Sequence, residues 1–171
     1  NRPELASLVS RWNEPGRGHR HLFSLLREDR LRCLLRRMMD EEEFLSPYGI
    51  RSMSKAHEKD PFILKCNGRT KYCNGHSQVD YQPAESNTYM FGGNSNWRGP
   101  IWFPVNFLLI ESLQRFHHYY GREFKLESPT NSDQRMTLEA ISEDITGRLG
   151  DLFRKNSNGI RPIYLHHPKL Q

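Results

Sequence analysis

The chain has 171 residues, enough for one domain with a real core and short for two. Aromatic residues make up 11% and charged residues 26%, which takes it out of the disordered class. The net charge of +5 permits an anionic partner. However, the Arg-rich run "REDRLRCLLRR" is interrupted by acids and carries no interleaved aromatics. It reads as a solvated helix face, not a base-stacking platform, and no nucleic-acid partner is expected. No stretch reaches the ~18 apolar residues of a membrane span.

The N-terminus "NRPELASLV" is neither a signal peptide nor a start methionine, and reads as the interior of a longer protein. The three cysteines, Cys33, Cys66 and Cys73, are an odd number and argue against a disulfide framework. No Asn-x-Ser/Thr acceptor occurs, and both features lean toward a cytoplasmic setting, with the ER lumen the alternative. Cys66, Cys73, His76 and His57 match no common zinc spacing, so neither metal nor cofactor is expected.

In chain order, residues 1–20 hold one short apolar patch and the turn-rich "NEPGRGHRH". Leu31, Leu34, Leu35, Met38 and Met39 then recur at helical spacing and predict a helix from near Glu28 to about Glu43. Its end, Asp40 to Glu43, has the wrong sign for the helix dipole. That calls for compensating arginines, or for an acidic rim beside a site. Pro47 and Gly49 stop the helix and leave Tyr48 and Arg51 on a loop. "FILKCNGRTKYCNGHSQVDYQP" holds two Asn-Gly pairs among β-compatible residues and predicts a small hairpin excursion.

The strongest predicted helix runs from Phe103 to Tyr120. It is apolar over most of its circumference, which predicts burial on several sides. Pro104 suits its first turn and Gly121 its stop. "REFKLESPTNSDQRM" reads as a loop. Thr137 then caps a last helix with the stripe Leu138, Ile141, Ile145, Leu149 and Leu152. Outer amphipathic helices alternating with an inner apolar one suit a two-layer helical toroid, so the expected fold class is all-α with one β-hairpin excursion.

The chemistry concentrates in "PAESNTYMFGGNSNWRGP", which carries Glu85, Tyr89, Phe91, Asn94, Asn96, Trp97 and Arg98. Gly92 and Gly93 allow positive φ or close backbone approach. Asn side chains and a guanidinium bond neutral hydroxyls, and an indole face stacks on the C–H face of a sugar ring. The mixture suits a carbohydrate subsite. The competing reading makes Trp97 and Trp102 core anchors and pairs Arg98 with a structural acid. Trp97, ahead of Gly-Pro, is assigned to a pocket, and Trp102, inside the helix pattern, to the core. Asp80 and Glu85 are the acids close to this loop in sequence, and either could bond a hydroxyl, orient Arg98 or cap a turn. Cutting a glycosidic bond with inversion needs two carboxylates roughly 6.5–9.5 Å apart.

"EFLSPYGIRSMS" followed by "ESNTYMFGGNSNWRGPIWFPVNFLLIESL" resembles glycoside hydrolase family 63, the processing α-glucosidases and their glucosylglycerate- and mannosylglycerate-hydrolase relatives. The match runs from about Arg30 to Pro162. The resemblance implies an (α/α) toroid of six helical hairpins and inverting hydrolysis of α-glucosidic or related small-glycoside bonds. It also implies a pocket lined at Phe91, Gly92 and Trp97 with the Tyr48–Arg51 loop nearby. The family's general acid lies upstream of anything matching Asn1, and its general base lies downstream of the stretch similar to "GIRP". Residues 1–171 are therefore expected to form a single partial catalytic domain lacking upstream and downstream portions. The expected sugar contacts are Tyr48, Arg51, Glu85, Phe91, Gly92, Asn94, Trp97 and Arg98, with no catalytic carboxylate. The expected partners are a carbohydrate and the remainder of the parent domain. Alone, the chain should bind without turnover, as a non-catalytic fragment, and its inner helix should expose an apolar strip.

Overall fold

The structure, a computed structural model, describes residues 2–3, 9–13, 19–63, 65–66, 69–70, 78–164, 167 and 169. Strands β1 (Val9–Asn13) and β2 (His19–Phe23) form an antiparallel ladder that pairs Val9 with Phe23 and Asn13 with His19. Helix α1 (Glu28–Met38) has Glu28 and Asp29 in its first turn and Arg36 and Arg37 in its last, matching the dipole at both ends. Glu28 and Arg32 pair across one turn at 2.8 Å. The helix ends five residues earlier than its periodicity predicts. Asp40 is the cause: its Oδ1 accepts the Glu42 N–H at 2.9 Å and its carbonyl accepts the Leu45 N–H at 2.9 Å, so a turn replaces the next helical turn. The acids thus lie beyond the helix end, and Arg37 meets Glu43 there at 2.8 Å.

Strands β3 (Leu45–Ser46) and β4 (Gly49–Ile50) make a two-residue hairpin around Pro47 and Tyr48. The predicted excursion is present as a nested pair. In it β5 (Phe62–Ile63) pairs with β8 (Gln78–Val79), and β6 (Lys65–Cys66) pairs with β7 (Arg69–Thr70) inside them. Both Asn-Gly pairs, with Cys73 and His76, lie outside the described residues. Among the described residues no group of His, Cys, Asp and Glu could hold a metal. None of their helices is long and apolar enough to cross a membrane.

Helix α2 (Phe103–Tyr120) has the predicted bounds, with Pro104 in its first turn and Gly121 closing it at φ 71°. The stretch after it is not a plain loop. Strands β9 (Lys125–Glu127) and β10 (Arg135–Thr137) pair, and Leu126 turns inward while Lys125 is exposed. Three residues per strand is too short for alternation to register in the sequence. Helix α3 (Leu138–Asp151) follows, and the Thr137 hydroxyl accepts the Ala140 N–H at 3.2 Å as predicted.

The all-α expectation is therefore wrong. The described residues form three α-helices and five two-stranded antiparallel ladders, a mixed architecture with no toroid. Turn chemistry is the physical reason. Gly, Pro, Asn and Asp break the chain often enough that local hairpins, not helix pairs, fill most of the space between helices. Among the described residues the extended helical pairing is α2 against α3. There Leu113, Tyr120, Leu138, Ile141 and Ile145 build the core, with Leu31 and Leu35 from α1 and Met39 just beyond its end. His117 Nε2 and a Glu139 carboxylate oxygen meet across the same two helices at 3.4 Å.

One buried amide joins the β3–β4 hairpin to α2. Asn106, 1% exposed, accepts the Ile50 N–H at 2.7 Å through Oδ1 and donates through Nδ2 to the Ile50 carbonyl at 3.0 Å. It thereby imitates a neighbouring strand. The same Nδ2 donates to the Trp102 carbonyl at 2.9 Å, closing the N-terminus of α2. Gly49 permits this approach. Its φ is +125°, and a Cβ there would lie 2.9 Å from Leu149 Cδ2 and 3.0 Å from Asn106 Oδ1. From the other side, Arg148 of α3 donates to the Ser46 carbonyl at 3.0 Å and holds Asp144 at 2.8 Å.

Gly49→Ala should therefore destabilise the fold by about 2–4 kcal/mol in urea unfolding, the sum of strain at positive φ and overpacking. Gly147→Ala is the control. Its added methyl meets nothing within 4 Å in α3, and a gain of roughly 0.5–1 kcal/mol is expected from helix propensity.

Candidate functional site

A cavity of about 650 Å³ opens between α1 and the first half of α2. Its walls are mostly apolar: Leu34 and Met38 from α1, Phe44, Ile50, Val105 and Leu109, and the two indoles Trp97 and Trp102. Its polar side chains are Arg37, Arg51, Ser52, Ser54, His57 and Asn106.

The indoles lie against one another, centroids 4.2 Å apart and planes 35° apart. Trp102 Nε1 donates to the Asn96 carbonyl at 2.8 Å, which fixes its ring. Trp97 is 57% exposed and keeps a face to solvent. Ser52 staples this loop to the segment after β4. Its hydroxyl donates to the Asn96 carbonyl and accepts the Gly99 N–H, both at 3.0 Å, and its own N–H donates to the Pro100 carbonyl at 3.1 Å. An isolated antiparallel bridge between Arg51 and Ile101 extends the join. Gly99, at φ +134°, is required because an added Cβ would enter the Tyr81 ring.

Inside the loop, Arg98 is fully buried. Its Nη1 bonds Asp80 at 3.5 Å and Thr88 Oγ1 at 3.3 Å, and its Nη2 bonds Ser86 Oγ and the Asn94 carbonyl. Its own carbonyl accepts the Gln82 N–H, and Gln82 Nε2 in turn holds Asp80 at 2.9 Å. The guanidinium is thus the internal frame of the 80–98 segment, and it faces the loop interior rather than the cavity.

At the opposite end, Arg37 grips Glu43 with two bonds, Nε to Oε1 at 3.1 Å and Nη2 to Oε2 at 2.8 Å. The Ser54 hydroxyl donates to the same carboxylate at 3.2 Å. The Arg37 bonds hold Glu43 below the usual carboxylate range against the opposing cost of burial, and Ser54 and the nearby His57 ring add to the effect. His57 Nδ1 lies 2.9 Å from the Asp60 carbonyl. A carbonyl only accepts, so Nδ1 carries a proton and donates it there, leaving the Nε2 edge of the ring at the cavity. Arg51 Nη1 donates to the carbonyls of Glu41, Glu43 and Leu45, closing the turn beneath the cavity.

Of the residues singled out in the sequence, Arg51 and Trp97 line the cavity together. Tyr48 sits half-buried in the β3–β4 turn, its N–H on Ser46 Oγ at 3.1 Å, and is not part of the lining. Glu85, Phe91, Gly92 and Asn94 are exposed on the loop and do not line it. Phe91 and Gly92 adopt positive φ, 51° and 71°, in a tight turn. Asn94 Oδ1 accepts the Asn96 N–H at 2.7 Å. Trp102, assigned to the core, is half-buried and shares the cavity wall. Sequence reasoning missed Ser52 and Ser54, and weighed His57 only as a metal ligand. It read Leu34 and Met38 only as a core stripe, because periodicity marks a buried face without saying what faces it.

No protein-family model and no solved structure matches the chain. An uncharacterized protein of Saccharomyces cerevisiae, YMR196W, is 48% identical over 99% of this chain, which spans 15% of that protein. A probable mannosyl-oligosaccharide glucosidase of Schizosaccharomyces pombe is 25% identical over 74% of this chain and 11% of its own length. The chain thus covers a small part of the length of either relative.

Two outcomes follow from these geometries. Replacing Arg98 with Met leaves Asp80 without its cation in a partly buried setting, and should cost about 3 kcal/mol in urea unfolding with a red shift of Trp97 emission. Glu43 is held below its ordinary value of 4.5, so its stabilising contribution is present above that pH and is lost as pH falls through the lowered value. Glu43→Gln should flatten the acid limb of a stability-versus-pH curve and leave the rest of its shape unchanged.

Proposed function

We propose that this chain supplies part of a carbohydrate-binding pocket in a protein related to glycoside hydrolase family 63. In this reading the whole protein hydrolyses α-glucosidic or related small-glycoside bonds with inversion. The observation that carries it is the Trp97–Trp102 pair at an apolar cavity, one indole pinned and the other half-exposed. Such a surface suits the C–H face of a sugar ring, and the His57 ring and the Ser52 and Ser54 hydroxyls beside it suit ring hydroxyls. The similarity to a probable mannosyl-oligosaccharide glucosidase supports the same class, as does the string "GGNSNWRGPIWFPVN" that spans the loop and the start of α2.

The chain's own part is binding. Among the described residues no carboxylate lines the cavity. Asp80 is committed to Arg98 and Gln82, and Glu43 to Arg37 and Ser54. Hydrolysis would draw its acid and base from the remainder of the parent catalytic domain, and a non-catalytic carbohydrate-binding role fits these 171 residues by themselves.

Titration with α-linked glucose disaccharides should quench or blue-shift the tryptophan emission. Trp97→Ala should weaken binding about tenfold, from the loss of roughly 1.4 kcal/mol of stacking. Emission that stays constant through millimolar sugar would refute the reading. Sugar released by the chain alone would refute the assignment of cleavage to other parts of the protein.

A further inference from the structure

Residues 80–82, which follow β8, meet two parts of the cavity wall without lining the cavity. Tyr81 is the middle one and is half-buried. Its N–H donates to the His57 carbonyl at 3.3 Å. That bond completes the hold on His57, whose own N–H donates to the Ser54 carbonyl at 3.2 Å and whose Nδ1 donates to the Asp60 carbonyl at 2.9 Å. In the other direction the Tyr81 ring lies over Gly99. A Cβ built on Gly99 would come within 2.7 Å of Tyr81 Cδ2, far inside ordinary contact.

Gly99 is the bend between the two indoles. Trp97 precedes it and Trp102 follows it, so rings 4.2 Å apart need the intervening chain to fold back there. Glycine takes the φ of +134° found at this position, but it takes many other conformations as readily, so the residue that permits the bend does not hold it. Its neighbours do. The peptide between Arg98 and Gly99 is bonded on both sides, its carbonyl by the Gln82 N–H and its N–H by Ser52 Oγ. The Tyr81 ring fills the space a straightened Gly99 would need. We propose that Tyr81 is a positioning residue of the site: its backbone ties it to His57, its ring clamps the bend at Gly99, and so one residue sets where the indole stack stands relative to His57. The ring alone is required, because among the described residues the hydroxyl makes no hydrogen bond. The clamp is independent of the ligand, and its value for a sugar rests on the carbohydrate reading.

The test compares Tyr81→Leu, Tyr81→Phe and a control, Ile141→Val, in the 171-residue chain, well below each Tm. Two stacked indoles give an exciton couplet in far-ultraviolet circular dichroism, identified by its loss in Trp97→Ala. Tyr81→Leu should remove most of the couplet and weaken binding of an α-linked glucose disaccharide about tenfold, the loss expected of Trp97→Ala. Tyr81→Phe keeps the ring and should leave both readouts at the wild-type level. Ile141→Val, in the core between α2 and α3, should do the same and separates the clamp from a general loss of stability. In wild type, nuclear Overhauser contacts should join the Tyr81 ring protons to the Gly99 α-protons. Four results would overturn the inference: a full couplet in Tyr81→Leu, absence of those contacts in wild type, loss of the couplet in Tyr81→Phe or Ile141→Val, or unfolding of the chain by Tyr81→Leu. The couplet is read without sugar, so it decides the clamp even where the carbohydrate reading fails.

Discussion

Asn106 is the constraint on which the rest of the site depends. A two-residue strand such as Gly49–Ile50 has one neighbour in its ladder and leaves a backbone edge facing a helix. Buried peptide groups without partners cost about 1–3 kcal/mol each, so an apolar wall built on Ile50 needs an answer to its free N–H and carbonyl. The Asn106 amide answers both, and in the same stroke holds the Trp102 carbonyl. No other side chain of that length offers a donor and an acceptor in one plane, as a peptide does. The glycine at 49 and the arginine at 148 follow from it: one lets the helix approach, the other anchors the hairpin from α3.

From that joint the cavity follows. α2 starts where Asn106 fixes it, so Trp102 and Val105 face α1 across open space. The loop before α2 separates two tasks between adjacent residues. Arg98 turns inward and gathers Asp80, Ser86, Thr88 and the Asn94 carbonyl. Trp97 turns outward onto Trp102. A guanidinium suits the inner task, because its donors fan out in a fixed plane and remain charged at any working pH. The rigidity that leaves an indole half-exposed at a cavity rim is thus made by a buried charge that touches no cavity atom.

The legible parts of the sequence were those where local chemistry and tertiary structure agree. Pro104, Gly121 and Thr137 mark helix ends by mechanisms that need no neighbours, and α2 and the start of α3 stand where those residues put them. The pairing of Arg98 with an acid was open in the sequence as one of two readings, and Asp80 decides it. The architecture was less legible. Ladders of two or three residues, as at Leu45–Ile50 and Lys125–Thr137, carry no periodic signal, and the alternation of amphipathic and apolar helices, with the family likeness behind it, suggested a helical toroid that the described residues do not form. Long-range side chain–backbone bonds were invisible for a different reason. Ser52 and Asn106 are ordinary polar residues in sequence, and their roles arise only when segments about fifty positions apart meet.

The most direct test of this account is amide hydrogen exchange at Ile50 in the wild-type chain and in Asn106→Leu. If the Asn106 amide completes the edge of that hairpin, the Ile50 N–H exchanges in wild type with the slow residues of α2 and α3. In Asn106→Leu it should speed up well beyond what the global loss of stability explains. An Ile50 amide that exchanges in wild type as fast as the exposed loop around Asn94 would contradict the account.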